Sequence, residues 1–351
     1  MSFEDNIRRV TPYTPGEQPQ KKVIKLNTNE CPYPPSPKVI DALKNADMKK
    51  LRLYPEVTCD TLNDALSSYY GIPKDRIFSG VGSDDVLSMC FLTYFAGSDP
   101  VLFPDITYSF YDVWAQVYRI PYETIPLDDD FNIVPSDYHR KNGGVVIANP
   151  NAPTGVVLGT DAIEDIVSYN KNSVVIVDEA YIDFGGKSAL PLIEKYDNLV
   201  VVRTMSKSRA LAGMRIGWCF GSPKLIKYLN DVKYSVNSYT MNTPALIAGA
   251  AAIKDDEYFR QITGRIIKTR ADFAGKLKEL GFSFRESSTN FIFAKPPAGV
   301  EASYVFEELK KRDIFVRHFK KPARISDHLR ITIGTDEEMD VLTDALKEIL
   351  K

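Results

Sequence analysis

The chain has 351 residues, 44% of them hydrophobic and 26% charged, with a formal net charge of −2, so one large domain with a smaller companion is expected, and neither a nucleic-acid nor an anionic-membrane partner. Four cysteines (Cys31, Cys59, Cys90, Cys219) and three histidines (His139, His318, His328) lack metal-ligand spacing, which predicts free thiols in a reducing cytosol and no metal site. No run of about 18 apolar residues predicts a membrane span, and MSFEDNIRRV lacks the apolar centre of a signal peptide, so a cytoplasmic protein is expected.

The first forty residues, with TPYTPGEQPQ and NTNECPYPPSPK, are rich in proline and polar groups and predict an extended arm. From Ser36 the pattern turns helical, with Pro37 just inside the start. TCDTLNDALSSYYGI predicts a second amphipathic helix, closed by Gly71. Between about residues 75 and 220, short apolar runs (DRIFSG, DPVLFP, YETIPL, GGVVIANP, SVVIVD, NLVVVRT, WCFGS) alternate with helical stretches. Unbroken β-branched runs such as SVVIVD suit strands covered on both faces, so a mainly parallel sheet is expected. After about Asn237 a long helical tract from TPALIAG to KELG leads into short strands and a last helix, a smaller α+β unit. The expected division is an arm at 1–40, a large domain at 41–237 and a small domain at 238–351.

In open α/β sheets, ligands bind beyond the carboxyl ends of the strands. Gly80–Asp85, Asn149–Gly155, Asp178–Tyr181 and Thr204–Arg215 fall there. Lys207, just past an apolar strand, is expected to be partly desolvated and able to condense with a carbonyl. Thr204, Ser206 and Arg215 form a phosphate-oxygen set beside it. Gly80 and Gly82 permit a tight turn, and Ser83 and Asp84 open a helix whose N–H groups favour phosphate. Asp85 stands where a dinucleotide fingerprint needs its third glycine, which argues against a nicotinamide cofactor. Asp178 closes a strand too apolar for a free carboxylate; a protonated pyridine nitrogen would satisfy it, with Tyr181 on the ring's phenolic oxygen. Together these groups suit a phosphorylated aromatic aldehyde.

The order GSDD, FPDITYSFY, NPNAPTG, VDEAYIDF, TMSKSRALAGMRIG, LRITIG resembles the fold-type I aminotransferases. PYTPGE, LNTNECPYPPS, LRLYPE and the pair FVRHF…HLRITIG narrow the resemblance to the histidinol-phosphate aminotransferase family, from about Pro12 to Gly334. The resemblance implies pyridoxal 5'-phosphate, with Lys207 as the lysine that holds it. It implies Asp178 on the pyridine nitrogen, Tyr181 on the ring oxygen and Tyr108 against the ring. Gly82, Ser83 and Asp84 by their backbone, with Thr204, Ser206 and Arg215, would hold the phosphate. Tyr54 would reach the phosphate of a neighbouring subunit, so a homodimer is implied. Arg330 and Arg317 would grip the substrate's anionic end, with Tyr13, Asn29 and Glu30 in the arm lining its pocket. The implied activity moves the amino group between histidinol phosphate and 2-oxoglutarate in histidine biosynthesis. Aromatic or broad-range aminotransferases, and phosphothreonine-type decarboxylases of similar sequence, are the alternatives.

One position departs from the family pattern. Where the family carries asparagine before PTG, to hydrogen-bond the cofactor's ring oxygen, this chain has Ala152. Either the backbone brings Asn151 into that role, or Tyr181 makes the contact alone.

Overall fold

The computed structural model describes residues 2–351, leaving only Met1 outside it. The arm runs extended to a two-residue strand, β1 (Ile24–Lys25), and then into α1 (Pro37–Lys44). The Ser36 hydroxyl accepts from the Lys38 N–H, and Pro37 occupies the first turn, where its missing N–H costs nothing. Helix α2 (Asp60–Tyr70) ends on Gly71 at φ 69°, a left-handed cap that glycine adopts without strain.

From here strands and helices alternate: β2 (Ile77–Gly80), α3 (Ser83–Tyr94), β3 (Val101–Pro104), α4 (Tyr111–Tyr118) and β4 (Tyr122–Ile125). Then come β5 (Gly144–Ala148), α5 (Thr160–Tyr169), β6 (Val175–Asp178), β7 (Leu199–Thr204) and β8 (Gly217–Phe220). Their sheet has the order β2-β8-β7-β6-β5-β3-β4. β7, β6, β5, β3 and β4 are parallel to one another, while β8 is antiparallel to both its neighbours. The mainly parallel α/β sheet is therefore as expected. Every residue of β3, β5, β6 and β7 is buried, because helices cover both faces and build a separate apolar cluster on each.

Helix α6 (Pro223–Val236) returns across the sheet. The single tract expected after Asn237 is two helices, α7 (Thr243–Lys254) and α8 (Asp256–Glu279), broken at Asp255. The break has a cause. Asp255 is buried and turns its carboxylate to Ser36 and to Lys38 (2.8 Å), tying the junction to the start of α1. Ala245, Leu246, Ala248 and Ile253 of α7 lie in the same cluster as the large sheet. On packing, α7 therefore belongs with the large unit, and we draw the division near Asp255 rather than at 237.

The small unit adds β9 (Ser283–Phe284), β10 (Phe291–Lys295), α9 (Ala302–Lys311), β11 (Ile314–Phe315), β12 (Arg317–His318), β13 (Leu329–Thr332) and α10 (Asp336–Ile349). β12, β13, β10 and β9 form an antiparallel sheet, and β11 pairs with β1 of the arm, so the arm is stitched into this unit. A third apolar cluster lies beneath it. Among the described residues no helix is long and apolar enough to cross a membrane, and no group of side chains is set to hold a metal ion.

Candidate active site

A cavity of about 170 Å³ opens at the carboxyl ends of the central strands. Its wall includes Lys207, Asp178, Tyr181, Tyr108, Ser206 and Arg215, with Ser83 and Asp84 at one end and Thr28 and Glu30 of the arm at the other. Residues far apart in the chain meet here because β2, β6 and β7 end on the same edge.

Asp178 closes β6 and is 5% exposed. It accepts from the Tyr111 hydroxyl (3.0 Å) and the Ala180 N–H (3.1 Å). No lysine or arginine pairs with it among the described residues. Burial, reinforced by the nearby Asp84 and Glu179, pushes its acid up to about 6 against the donors that favour its charge. A buried acid of this kind lacks a cation, and a protonated ring nitrogen entering the cavity would supply one. The Tyr111 phenol in turn is pushed well up by its own burial and by Asp178. Tyr111 went unnoticed in the sequence, although it stands three residues past Tyr108 in the run that opens α4.

The opposite end is a cradle of small groups. Gly82 caps α3 at φ 85°, and a methyl group there would strike the Arg215 guanidinium. Gly217, on β8, lies against the backbone of Gly82 and Ser83, and a side chain there would collide with both. Only glycine lets β8 support this turn so closely. Arg215 reaches Ser206 Oγ (3.4 Å) and the Ala212 carbonyl (3.1 Å), and pairs with Asp84 (3.3 Å). Asp84 also accepts from the Tyr108 hydroxyl (2.7 Å), so its side chain orients Arg215 and Tyr108 while its N–H stays at the helix start. Thr204 is a partial correction. It is buried and does not line the cavity; its hydroxyl contacts Ser206 Oγ (3.0 Å) and accepts from the Ser206 N–H (3.1 Å), which makes it a support for Ser206.

Lys207 Nζ donates to the Thr28 carbonyl at 3.3 Å and stands 5.7 Å from the centre of the Tyr181 ring. The loop carrying it is tied to β6 from below. Ser208 donates to Asp183 (2.5 Å), Arg203 donates to Asp183 (3.0 Å) and Ser188 (2.9 Å), and Glu179 takes the Ser188 hydroxyl (2.7 Å). This buried network keeps the lysine and the acid in register, and sequence reasoning did not find it.

Ala152 lines the cavity, and Asn151 does not. The Asn151 amide donates to the Ile106 carbonyl (2.9 Å) and Thr154 (3.0 Å) and accepts from Thr107 (2.8 Å). Asn149 is likewise engaged at both ends by Leu158. The assignment of Asn151 to the cofactor is therefore wrong: adjacent side chains point opposite ways, and this one braces the loop.

The arm residues divide. Glu30 faces the cavity; burial would raise its carboxyl, but hydrogen bonds from Lys25 and Thr28 hold it below the usual range. Asn29, expected in the substrate pocket, is 1% exposed and turned inward, donating its amide to the Tyr181 hydroxyl at 2.9 Å. Its left-handed backbone (φ 56°) turns it away from its two neighbours. Tyr13 packs on Phe110, 4.3 Å between ring centres, and lines an adjoining cavity of about 420 Å³ with Tyr108, Arg317, Phe319 and Lys321. Arg317 donates to the carbonyls of Thr14 (3.2 Å) and Pro15 (3.4 Å). Arg330 donates to the Asn27 carbonyl (2.9 Å), sits 5.5 Å from the rings of both Phe291 and Phe319, and keeps a buried Nε without a partner. Burial pulls its pKa down, against the phenols of Tyr181, Tyr13 and Tyr108. Among the described residues neither arginine meets a carboxylate. Tyr54 is 81% exposed, stacked on Tyr239, and takes no part in this chain's own cavity.

Residues 21–346 match the model of the family described as aminotransferase class I and II. A histidinol-phosphate aminotransferase of Lactococcus lactis subsp. cremoris (strain SK11) is 50% identical, over 100% of this chain and 98% of that protein. The crystal structure of histidinol-phosphate aminotransferase from Sinorhizobium meliloti in complex with pyridoxal-5'-phosphate superimposes with a TM-score of 0.85 at 25% identity, covering 94% of this chain and 92% of that one. L-threonine-O-3-phosphate decarboxylase from Porphyromonas gingivalis shares the fold at a TM-score of 0.79 and 19% identity, covering 93% of this chain and 99% of that one, so the fold alone does not select between transfer and decarboxylation. With the family model spanning nearly its whole length and the strand-end site in place, the chain belongs to the class I and II aminotransferases.

Proposed function

We propose that this chain is a histidinol-phosphate aminotransferase, moving an amino group between histidinol phosphate and 2-oxoglutarate with pyridoxal 5'-phosphate as cofactor. The observation that carries the cofactor reading is the buried, cation-free Asp178 sharing a cavity with Lys207 and a glycine-lined anion cradle. When bound, the cofactor supplies an aldehyde for the amine and a sink for the electron pair left when the α-proton departs.

The chain's own residues do the rest. Lys207 Nζ would hold the aldehyde carbon and, once freed, would serve as the base that takes the substrate's α-proton and the acid that returns it on the far side of the nitrogen. Asp178, held by Tyr111 and the Ala180 N–H, would keep a proton on the ring nitrogen. The backbone of Gly82, Ser83 and Asp84, with Ser206 and Arg215, would anchor the phosphate, and Thr204 braces Ser206. Tyr108 would wall the ring, and Tyr181 would donate to its oxygen.

Arg330 and Arg317, without carboxylate partners, suit a phosphate monoester bearing nearly two charges, and in the second half-reaction the carboxylate of an oxo-acid. Tyr13 shares a cavity wall with Arg317, and Glu30 faces the Lys207 cavity from the arm. The reading includes a cytoplasmic homodimer in which Tyr54 reaches the partner's phosphate site. Its exposure, and that of Leu51, Leu53 and Val236, supports a covered face there, and the free thiols Cys59, Cys90 and Cys219, all buried, suit a reducing compartment.

The test is a steady-state comparison of amino donors, with histidinol phosphate against phenylalanine and phosphothreonine. Histidinol phosphate should have the highest kcat/KM by at least tenfold; equal use of phenylalanine, or carbon dioxide release from phosphothreonine, would refute the assignment.

A further inference from the structure

The residue before the PTG run is Ala152, whose apolar methyl lies in the cavity wall and offers no donor there. The neighbouring asparagines are spent on Ile106, Thr107, Thr154 and Leu158. Tyr181 is left to make the contact, and a phenol has one proton. Where that proton points is decided by what else the oxygen touches.

The Tyr181 oxygen accepts from Asn29 Nδ2 at 2.9 Å. The direction of that bond is fixed from behind. Thr332 Oγ1 accepts from the Asn29 backbone N–H (3.0 Å), and its own proton goes to Asn29 Oδ1 (3.0 Å). With the amide oxygen taken by Thr332, the NH2 group faces the phenol, which spares the phenolic proton for the cavity. Asn290 Nδ2 donates to the Asn29 carbonyl (2.9 Å), holding the segment at its left-handed turn. Asn29 is thus gripped by the small sheet and pushes on a group of the large one.

We propose that Asn29 is a positioning residue, which by donating to Tyr181 turns the phenolic proton toward the cofactor's ring oxygen and so replaces the donor missing at Ala152. This rests on the cofactor reading above. A donor at that oxygen stabilises its anionic form and disfavours protonation of the linked lysine nitrogen, so its loss raises the pH at which the visible absorbance changes.

The experiment is a pH titration of visible absorbance on the cofactor-loaded protein, with cofactor affinity measured alongside by fluorescence quenching. Tyr181→Phe and Asn29→Asp should each raise the midpoint by roughly one pH unit, the size of a single charge-assisted hydrogen bond. The aspartate accepts the phenolic proton that the asparagine spares. Asn29→Ala and Thr332→Val should move it the same way by less. A midpoint unchanged in Asn29→Asp while Tyr181→Phe shifts it overturns the proposal, as does a downward shift. Thr332→Val carries the same test from the other end of the amide if Asn29→Asp fails to fold. Absence of any visible band in the parent protein after adding pyridoxal phosphate would instead sink the cofactor reading, and this proposal with it.

Discussion

Lys207, Asp178 and the Gly82–Asp84 turn lie at or just past the ends of the strands that carry them, and their neighbours in space are set by the sheet order. Asn29, Arg317 and Arg330 meet by another route. The arm pairs with β11, and Asn29 meets Thr332 across 303 residues of sequence. The first half of the site is local chemistry on a rigid frame; the second exists only when arm, small sheet and large sheet are all in place. Substitutions in the first half should therefore act on the chemical step and on cofactor retention, and those in the second on substrate binding and cofactor electronics.

The largest effect expected is at Lys207. Lys207→Ala should lower kcat by roughly 10³-fold or more, since proton transfer alone accounts for 10²–10⁴. A residual rate within tenfold of the parent would break the division between the halves. Next is Arg330→Ala, which should raise KM for histidinol phosphate by roughly 10- to 100-fold while changing kcat less. Arg317→Ala, at a more open position, should do less. A fall confined to kcat would place Arg330 with the chemistry instead.

Asp178 sharpens the contrast through pH. Burial holds its acid up at about 6, above the usual 3.8, so the stability of the cofactor-free protein is complete below about pH 4 and is lost as pH rises through about 6, by up to about 3 kcal/mol. Asp178→Asn should remove that loss. The cofactor-free variant should be more resistant to urea at pH 7, equal to the parent near pH 4, and poorer at retaining cofactor. Urea melts of both proteins at the two pH values check this, and a variant less stable at pH 7 would contradict it. The smallest effect is at Asn151. Asn151→Ala should cost about 1 kcal/mol or somewhat more through lost loop bonds and leave the absorbance midpoint unmoved; a shifted midpoint would return Asn151 to the cofactor.

The frame was legible because periodicity and strand ends are local features. SVVIVD and LVVVRT announced buried strands, and what followed them named the acid and the lysine. The break at Asp255 was hidden because it depends on Ser36 and Lys38, more than two hundred residues away. Asn151 was misplaced for a related reason: spacing placed it beside the cavity, but only its partners Ile106, Thr107 and Thr154 show which way it faces. Asn29 lay in a recognised segment, yet its role needs Tyr181 and Thr332 together. Gly217 could have been suspected as a glycine opening a strand, but the backbone it clears belongs to a turn 135 positions earlier.

The central claim is that a single amine at position 207 carries the cofactor between an acid and an anion cradle. Borohydride reduction of the pyridoxal-phosphate-loaded protein, followed by peptide mapping, tests it directly. The label is expected on the peptide containing Lys207 and absent from Lys207→Ala; a label on another lysine of the parent, or one that persists in Lys207→Ala, would contradict the account.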